Sequence, residues 1–429
     1  MNLQQILSRA ATCTCGKPHS FDVRAVEIGH DMTSRTGEIL LREGFGARLL
    51  VVADENTIRA SGKLGDVLRE SGFTLTKLIY QNLLEATNIG VDEVKALLTN
   101  ADGVISVGSG SLNDICRVAA FDLAKPLAIY ATAPSMDGFA SDTAPTIKDG
   151  FKSSWQAKQP EVIIADTAVL AAAPVILKSA GFGDMIAKCV GLVDWRIARL
   201  LIDEYYCENI ADITREATRR IIALADRVTA DDEETAGQIM EALVLTGLAM
   251  KLAGCSRPAS GTEHIVSHYW ECQKLLRGIW PDYHGRKVGV ATVLIAKMYH
   301  KLAAIEEIDA VREVVDWDKV YSMYGPIAGD VRALNEPTIT DRVDPAHLTK
   351  SWSQIRAIIR EELPTPEEII ALMNTAGAAV TPEEINVSPQ LLADGMEYHP
   401  FMRYRLTLAR LVPMLGLSEA QLREIRDFS

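Results

Sequence analysis

The chain has 429 residues, 48% of them hydrophobic, and a formal net charge of −13. That length is enough for two or three domains around a large core, and the negative balance argues against nucleic acid and anionic membrane surfaces as partners. Seven cysteines, an odd number in a long chain, do not suggest a disulfide scaffold, and no apolar run fits a signal peptide or a membrane helix, so a cytoplasmic protein without membrane insertion is expected.

Near the start, CTCGKPHS places Cys13, Cys15 and His19 close together. C-x-C is not the usual C-x-x-C metal knuckle, and a reducible surface thiol pair is the expectation. Residues 46–54 form a short apolar, β-branched run ending in Asp54, the pattern of a buried parallel strand. Asn56 and Thr57 then suit the cap of a helix running toward Glu70. TLTKLIY at 74–80 predicts a second strand, residues 91–99 a helix, and GVISV at 103–107 a third strand. Strands alternating with helices predict βαβ units and a parallel sheet.

The third strand runs into Gly108, Ser109, Gly110, Ser111, Leu112, Asn113 and Asp114, and then into a helix. Glycine lets a backbone approach a phosphate, and the first N–H groups of a helix attract it. The spacing is neither G-x-G-x-x-G nor a Walker loop, so a phosphate cradle and a plain tight turn both fit. PLAIYAT predicts another buried strand, followed by Thr132, Ser135, Asp137 and Ser141 around Pro134 and Gly138. Polar residues at the carboxyl edge of a parallel sheet are where α/β proteins bind ligands; a capping loop is the alternative. EVIIAD at 161–166 predicts the last strand, and long helical segments follow. The expected organisation is a Rossmann-like domain over 1–166 and an all-helical domain over 167–429. Arg403, Arg405 and Arg410 are expected on a solvated helix face, and the apolar run IMEALVLTGLAMKLAG favours association.

Residues 256–290, SRPASGTEHIVSHYWECQKLLRGIWPDYHGRKVGV, hold His264, His268 and His284, three of the eight histidines. His264 and His268 stand four apart, so one helix face carries both. Two imidazoles need a carboxylate to complete a divalent site, and Asp184 in AGFGDMIAK is the candidate. Pro258, Gly261, Pro281 and Gly285 suggest that loops hold the region at defined angles.

VGSGSLND, ATAPSMDGFASDTA, AGFGDMIAK, SRPASGTEHIVSHYWE and YHGRKVG, in that order, resemble the iron-type alcohol dehydrogenase, glycerol dehydrogenase and dehydroquinate synthase superfamily. Within it the chain most resembles the sn-glycerol-1-phosphate dehydrogenase family. The resemblance implies a dehydroquinate synthase-like fold with a cleft between the two domains. It implies reversible reduction of dihydroxyacetone phosphate by NAD(H) or NADP(H), with one divalent metal, zinc or nickel. By motif, Asp184, His264 and His284 fall at the metal; Asp137 and His268 at the substrate and the proton relay; Gly108, Gly110 to Asp114, Thr132, Ser135 and Ser141 at the cofactor. Asp54 matches the acidic residue at the adenosine ribose, where a carboxylate favours NADH.

A phosphorylated substrate needs a cation in so acidic a chain, and Arg257 is the first candidate, ahead of Lys287, Arg286 and Lys148. A homo-oligomer is expected, with a dimer favoured. The rival readings are a glycerol dehydrogenase acting on unphosphorylated glycerol or dihydroxyacetone, and a dehydroquinate synthase-like lyase, which is expected to carry Glu at position 184.

Overall fold

The computed structural model describes residues 5, 6, 8, 10, 12–148 and 151–428. Six strands form one parallel sheet: β1 (Ala25–Gly29), β2 (Arg48–Asp54), β3 (Thr74–Tyr80), β4 (Gly103–Gly108), β5 (Leu127–Ala131) and β8 (Val162–Asp166). Their order is β1-β8-β5-β4-β2-β3. β4, β5 and β8 are buried along their whole length, which is why they read as unbroken apolar runs rather than as alternation. β3 lies at an edge and alternates between exposed and half-buried positions. A separate antiparallel hairpin, β6 (Thr143–Lys148) and β7 (Phe151–Gln156), follows β5.

The helices of this half are α1 (Met32–Arg42), α2 (Glu55–Ala60), α3 (Leu64–Glu70), α4 (Asn88–Leu98) and α5 (Gly110–Asp122). The direction of travel across the sheet reverses between β2 and β4. A crevice opens at such a reversal, outside the carboxyl ends of the strands. Asp54 ends β2 and Gly108 ends β4, so both stand at that edge.

After β8 the described chain is helical: α6 (Thr167–Ala171), α7 (Val175–Ile186), α8 (Lys188–Ile202), α9 (Glu208–Ile222), α10 (Glu233–Ala253), α11 (Thr262–Leu275) and α12 (His284–Ala304), with shorter helices beyond. Their shared core includes Phe182, Met185, Val190, Ile265, Val266, Trp270 and Tyr299. Among the described residues only α10 is long and apolar enough to cross a membrane, and 83% of its apolar window is buried inside the fold. Its apolarity is therefore accounted for within the chain and does not argue for association.

Several expectations are corrected here. β1 and the β6–β7 hairpin are not visible in the apolar pattern; the hairpin, TAPTIK and FKSSWQ, mixes Pro, Thr, Ser and Lys with few apolar residues and has no regular alternation. The helix after β2 breaks in two at Gly62, whose φ is +54°, and its cap is Asp54 rather than Asn56 or Thr57. Arg403, Arg405 and Arg410 do not form a solvated face. Arg410 is buried against Glu313 and Thr338, and Arg405 donates to Ser260 O at 2.7 Å and Ser256 Oγ at 2.6 Å.

Candidate active site

α7 and α12 approach each other through glycines. A Cβ on Gly183 would lie 2.6 Å from Gly285 O, and one on Gly285 would lie 1.9 Å from Ala180 O. Gly285 thus sits inside a helix, not in the loop that its residue type suggested, and its use is close approach. The same contact sets Asp184, next to Gly183, beside His284, the first residue of α12. Gly181 does the equivalent on the sheet side: its Cβ would lie 1.9 Å from Pro134 O. The Ser135–Gly138 loop is thereby pressed onto the helices.

The start of α11 is held by Asp194, reaching across from α8. Its carboxylate accepts from Thr262 N at 2.7 Å, Thr262 Oγ1 at 2.8 Å and Tyr299 Oη at 2.7 Å. Arg405 fastens the preceding Ser256–Ser260 loop. The SRPASG motif therefore fixes the angle at which α11 presents His264 and His268.

Asp184, His264 and His284 converge. His264 Nε2 lies 3.6 Å and His284 Nε2 3.9 Å from Asp184 Oδ1, and the ligand atoms of all three fall within 4.8 Å of one another. His264 Nδ1 donates to Glu263 Oε1 at 2.6 Å, so its Nε2 lone pair faces Asp184. A carboxylate behind a metal-binding imidazole fixes tautomer and orientation in this way. One carboxylate and two imidazoles suit a borderline divalent cation with coordination positions left open, and the fixed tautomer of His264 makes the fit specific.

The electrostatics are set by burial and by Lys188. Its Nζ lies 2.7 Å from Asp184 Oδ1 and 2.7 Å from Asp137 Oδ2. Burial opposes ionisation of Asp184, but Lys188, His264 and His284 outweigh it and hold the carboxylate far below its ordinary range. Burial and the neighbouring Asp184 charge push the Asp137 carboxyl up, with Lys188 pulling against them. Asp137 N donates to Asp184 Oδ2 at 2.9 Å, which ties the Ser135–Gly138 loop to α7. Burial pushes His284 well below the usual imidazole range and His268 down to about 4.

His268 is a neighbour of this group: its ring centroid is 6.4 Å from that of His264 and 6.0 Å from that of His284. Its Nδ1 donates to Glu271 Oε2 at 3.2 Å. Glu271 Oε1 accepts from Lys152 at 2.9 Å and from Lys287 at 2.8 Å. Lys152 comes from the hairpin and Lys287 from α12, so both halves of the chain supply this cluster.

At the sheet edge, α5 starts at Gly110 with no side-chain cap from Ser109. A Cβ on Gly110 would meet nothing within 4 Å, so its open side admits close approach. Thr132 N donates to Gly108 O at 3.2 Å, and the Ser109 and Ser135 hydroxyls are in contact. Ser111 Oγ donates to Leu84 O at 2.9 Å, and Leu112 and Asn113 are buried beneath the loop. Asp114 pairs with Arg117 at 3.1 Å, while burial pushes its carboxyl up to about 6. Ser141 Oγ accepts from Arg117 at 2.9 Å, a bond that ties its loop to α5. Asp54 Oδ1 accepts from Asn56 N and Thr57 N at 2.9 and 2.8 Å.

Arg257 does not have the free guanidinium that phosphate binding requires. It is buried, forms two 2.6 Å bonds to Glu204 and donates to Leu406 O at 2.9 Å. Arg286 is likewise engaged with Asp282 and Glu384 O. Sequence reasoning passed over Lys188, Glu263, Glu271 and Lys152. Lys188 had a signal, its i,i+4 spacing from Asp184, and Glu263 and Glu271 lie inside the quoted motif. Lys152 had none, since only the unseen hairpin delivers it.

The sequence profile of the iron-containing alcohol dehydrogenases matches residues 27–174. The chain is 31% identical over 425 residues to a glycerol-1-phosphate dehydrogenase (NAD(P)+) of Geobacillus stearothermophilus, covering 97% of this chain and 98% of that one. It is 36% identical over 280 residues to the protein of the same name from Methanosarcina mazei, covering 64% and 76%. Among solved structures, a probable glycerol dehydrogenase from Sinorhizobium meliloti superposes with a TM-score of 0.61 at 16% identity, covering 95% of this chain and 99% of that one. That likeness is one of fold. The near-full-length identity to the curated enzymes shows that the chain belongs to the glycerol-1-phosphate dehydrogenase family.

Proposed function

We propose that this chain reduces dihydroxyacetone phosphate to sn-glycerol 1-phosphate, reversibly and with NAD(P)H. The observation that carries the reading is the convergence of Asp184, His264 and His284 beside His268 and the Lys152–Lys287 pair. Asp184, His264 and His284 would hold one divalent cation, zinc or nickel. Bound there, it supplies Lewis acidity toward a carbonyl oxygen and stabilises the developing alkoxide. A nicotinamide cofactor supplies the hydride. The Gly108–Asp114 loop, Thr132 and Ser135 would bind its phosphates and nicotinamide end, and Asp54 its adenosine ribose. The Rossmann-like half is read as 1–166 and the metal- and substrate-binding half as 167–429.

The chain's own residues then have distinct tasks. Asp137, held by Lys188 Nζ at 2.7 Å, is placed to relay a proton to the new hydroxyl. His268 has its Nδ1 proton directed at Glu271, which leaves Nε2 to accept from a substrate hydroxyl. Lys152 and Lys287 both bond the Glu271 carboxylate, and their remaining N–H donors suit the substrate phosphate. They replace Arg257 in that role. A cytoplasmic homo-oligomer, a dimer first, completes the reading and is checked by light scattering.

The test is NADH and NADPH consumption with dihydroxyacetone phosphate against dihydroxyacetone, on metal-loaded protein. A strong preference for the phosphate ester is expected, and the product should resist oxidation by an sn-glycerol-3-phosphate dehydrogenase. Equal turnover of the two ketones, or a product that such an enzyme oxidises, rules the proposal out. Lys152→Ala and Lys287→Ala should raise KM for the phosphate ester and leave that for dihydroxyacetone unchanged.

A further inference from the structure

A second group of metal-ligand side chains shares no residue with the site above. Cys13, Cys15, His19 and Cys207 present three sulfurs and one ring nitrogen, all within 4.8 Å of one another. Cys13 Sγ lies 3.3 Å from Cys207 Sγ, and His19 Nε2 lies 3.1 Å from Cys15 Sγ and 3.9 Å from Cys207 Sγ. A tetrahedral zinc with ordinary bond lengths needs edges of about 3.8 Å between sulfurs and about 3.6 Å between sulfur and nitrogen. The four atoms already approximate that figure.

We propose that Cys13, Cys15, His19 and Cys207 form a closed structural zinc site that fastens the N-terminal segment to the helical domain. Three features beyond the ligand count support it. First, His19 Nδ1 donates to Leu252 O at 2.7 Å. That bond fixes the tautomer in which Nε2 is bare and faces the sulfurs, the usual arrangement behind a metal-bound imidazole. Second, three thiolates and one Zn²⁺ leave a net negative charge, and the surroundings answer it. Tyr205 Oη lies 3.3 Å from Cys15 Sγ, and Lys17 Nζ sits 3.8 Å over the Tyr205 ring. Third, Gly16 has a φ of +85°, so the chain turns sharply after Cys15 and returns His19 to the cluster despite the short C-x-C spacing.

Four protein ligands leave no open position, which separates this site from a catalytic one. Three thiolates and an imidazole select zinc over hard cations. On binding, three thiol protons are released and the imidazole enters through its lone pair. The ties are long-range: Cys207 immediately precedes α9, and Leu252 lies near the end of α10. A Cys13–Cys207 disulfide is the competing chemistry. It needs the sulfurs to close from 3.3 Å to about 2.05 Å and gives Cys15 and His19 no part.

The test is metal analysis of the full chain, purified with reductant and loaded with zinc or cobalt. Cobalt-loaded wild-type protein should show thiolate-to-cobalt charge-transfer absorption, and a mercurial thiol reagent should release one zinc per chain. Cys15→Ser and His19→Ala should lose that one equivalent and melt at lower temperature, while a variant with Asp184→Asn and His264→Ala keeps it. The proposal is overturned by cobalt protein without charge-transfer bands, by a mercurial that releases no zinc, or by a Cys13–Cys207 disulfide recovered from metal-loaded protein. The wild-type spectrum decides the matter even where a variant does not fold.

Discussion

Lys188 Nζ approaches Asp184 at Oδ1, the same oxygen that faces both histidines, and does so at 2.7 Å. The ammonium is therefore both a support and a competitor: it neutralises a fully buried carboxylate and occupies the oxygen that a cation would use. Without it, Asp137 and Asp184 would be buried with no opposite charge beside them, and breaking a buried pair costs about 3–5 kcal/mol. Lys188→Met is expected to lower the melting temperature of metal-free protein. Added divalent metal should then raise the melting temperature more in the variant than in wild type, because the metal replaces the missing charge. Equal shifts on metal addition would show that Lys188 and the cation do not share Asp184.

Glu263 is expected to act through His264 rather than on the substrate. Its Oε1 holds both Gly261 N, at 2.9 Å, and His264 Nδ1, at 2.6 Å. Glu263→Gln keeps the shape and weakens the grip on the imidazole, so metal affinity should fall by about 10–100-fold. His264→Ala or Asp184→Asn removes a ligand and should abolish most of the activity. Competition titration with a chelator distinguishes the two cases, since only the Glu263→Gln protein should regain activity at high metal concentration.

Much of this arrangement was legible because it rests on local patterns. β4, β5 and β8 are continuous apolar runs, and Asp184, His264 and His284 lie in motifs whose order along the chain matches a known family. What escaped depends on contacts between distant residues. Gly285 reads as a loop breaker, because no local pattern tells a turn glycine from one at which two helices touch. Arg257 reads as an available cation, because Glu204 lies 53 positions away in sequence. Cys207 lies 194 positions from Cys13, so the N-terminal motif looks one ligand short. Arg410 reads as surface because its partner, Glu313, sits in an irregular segment with no signature.

Acid stability should depend on His399. The ring is fully buried, its Nδ1 donates to Gly395 O at 2.7 Å, and Nε2 has no partner. Burial pushes its pKa down to about 3 from an ordinary 6.5. Between those values the unfolded chain binds the proton and the folded chain does not, so stability falls as pH drops from about 6.5 toward 3. The full effect is on the order of 4–5 kcal/mol. His399→Asn retains a donor for Gly395 O and removes the titration. Thermal melts across that pH range should be flatter for the variant; parallel curves would show that His399 is not the group that titrates.

The glycines between α7 and α12 connect packing to chemistry. Gly285→Ala would place a methyl group 1.9 Å from Ala180 O, a backbone atom that cannot rotate away. Relief requires the helices to separate, at a cost of roughly 1–3 kcal/mol or more. Asp184 and His284 stand on opposite sides of that contact, so the same shift should lengthen their separation and weaken metal binding, although neither ligand is altered. Gly110→Ala is the matched control, because its Cβ has no atom within 4 Å and its loop lies at the sheet edge. That variant is expected to leave metal affinity intact and to raise KM for the nicotinamide cofactor by crowding the backbone where a phosphate would approach. Metal titration and cofactor KM on the two variants should therefore change in complementary ways. Loss of metal affinity in Gly110→Ala, or its retention in Gly285→Ala, would break the link between helix contact and ligand geometry.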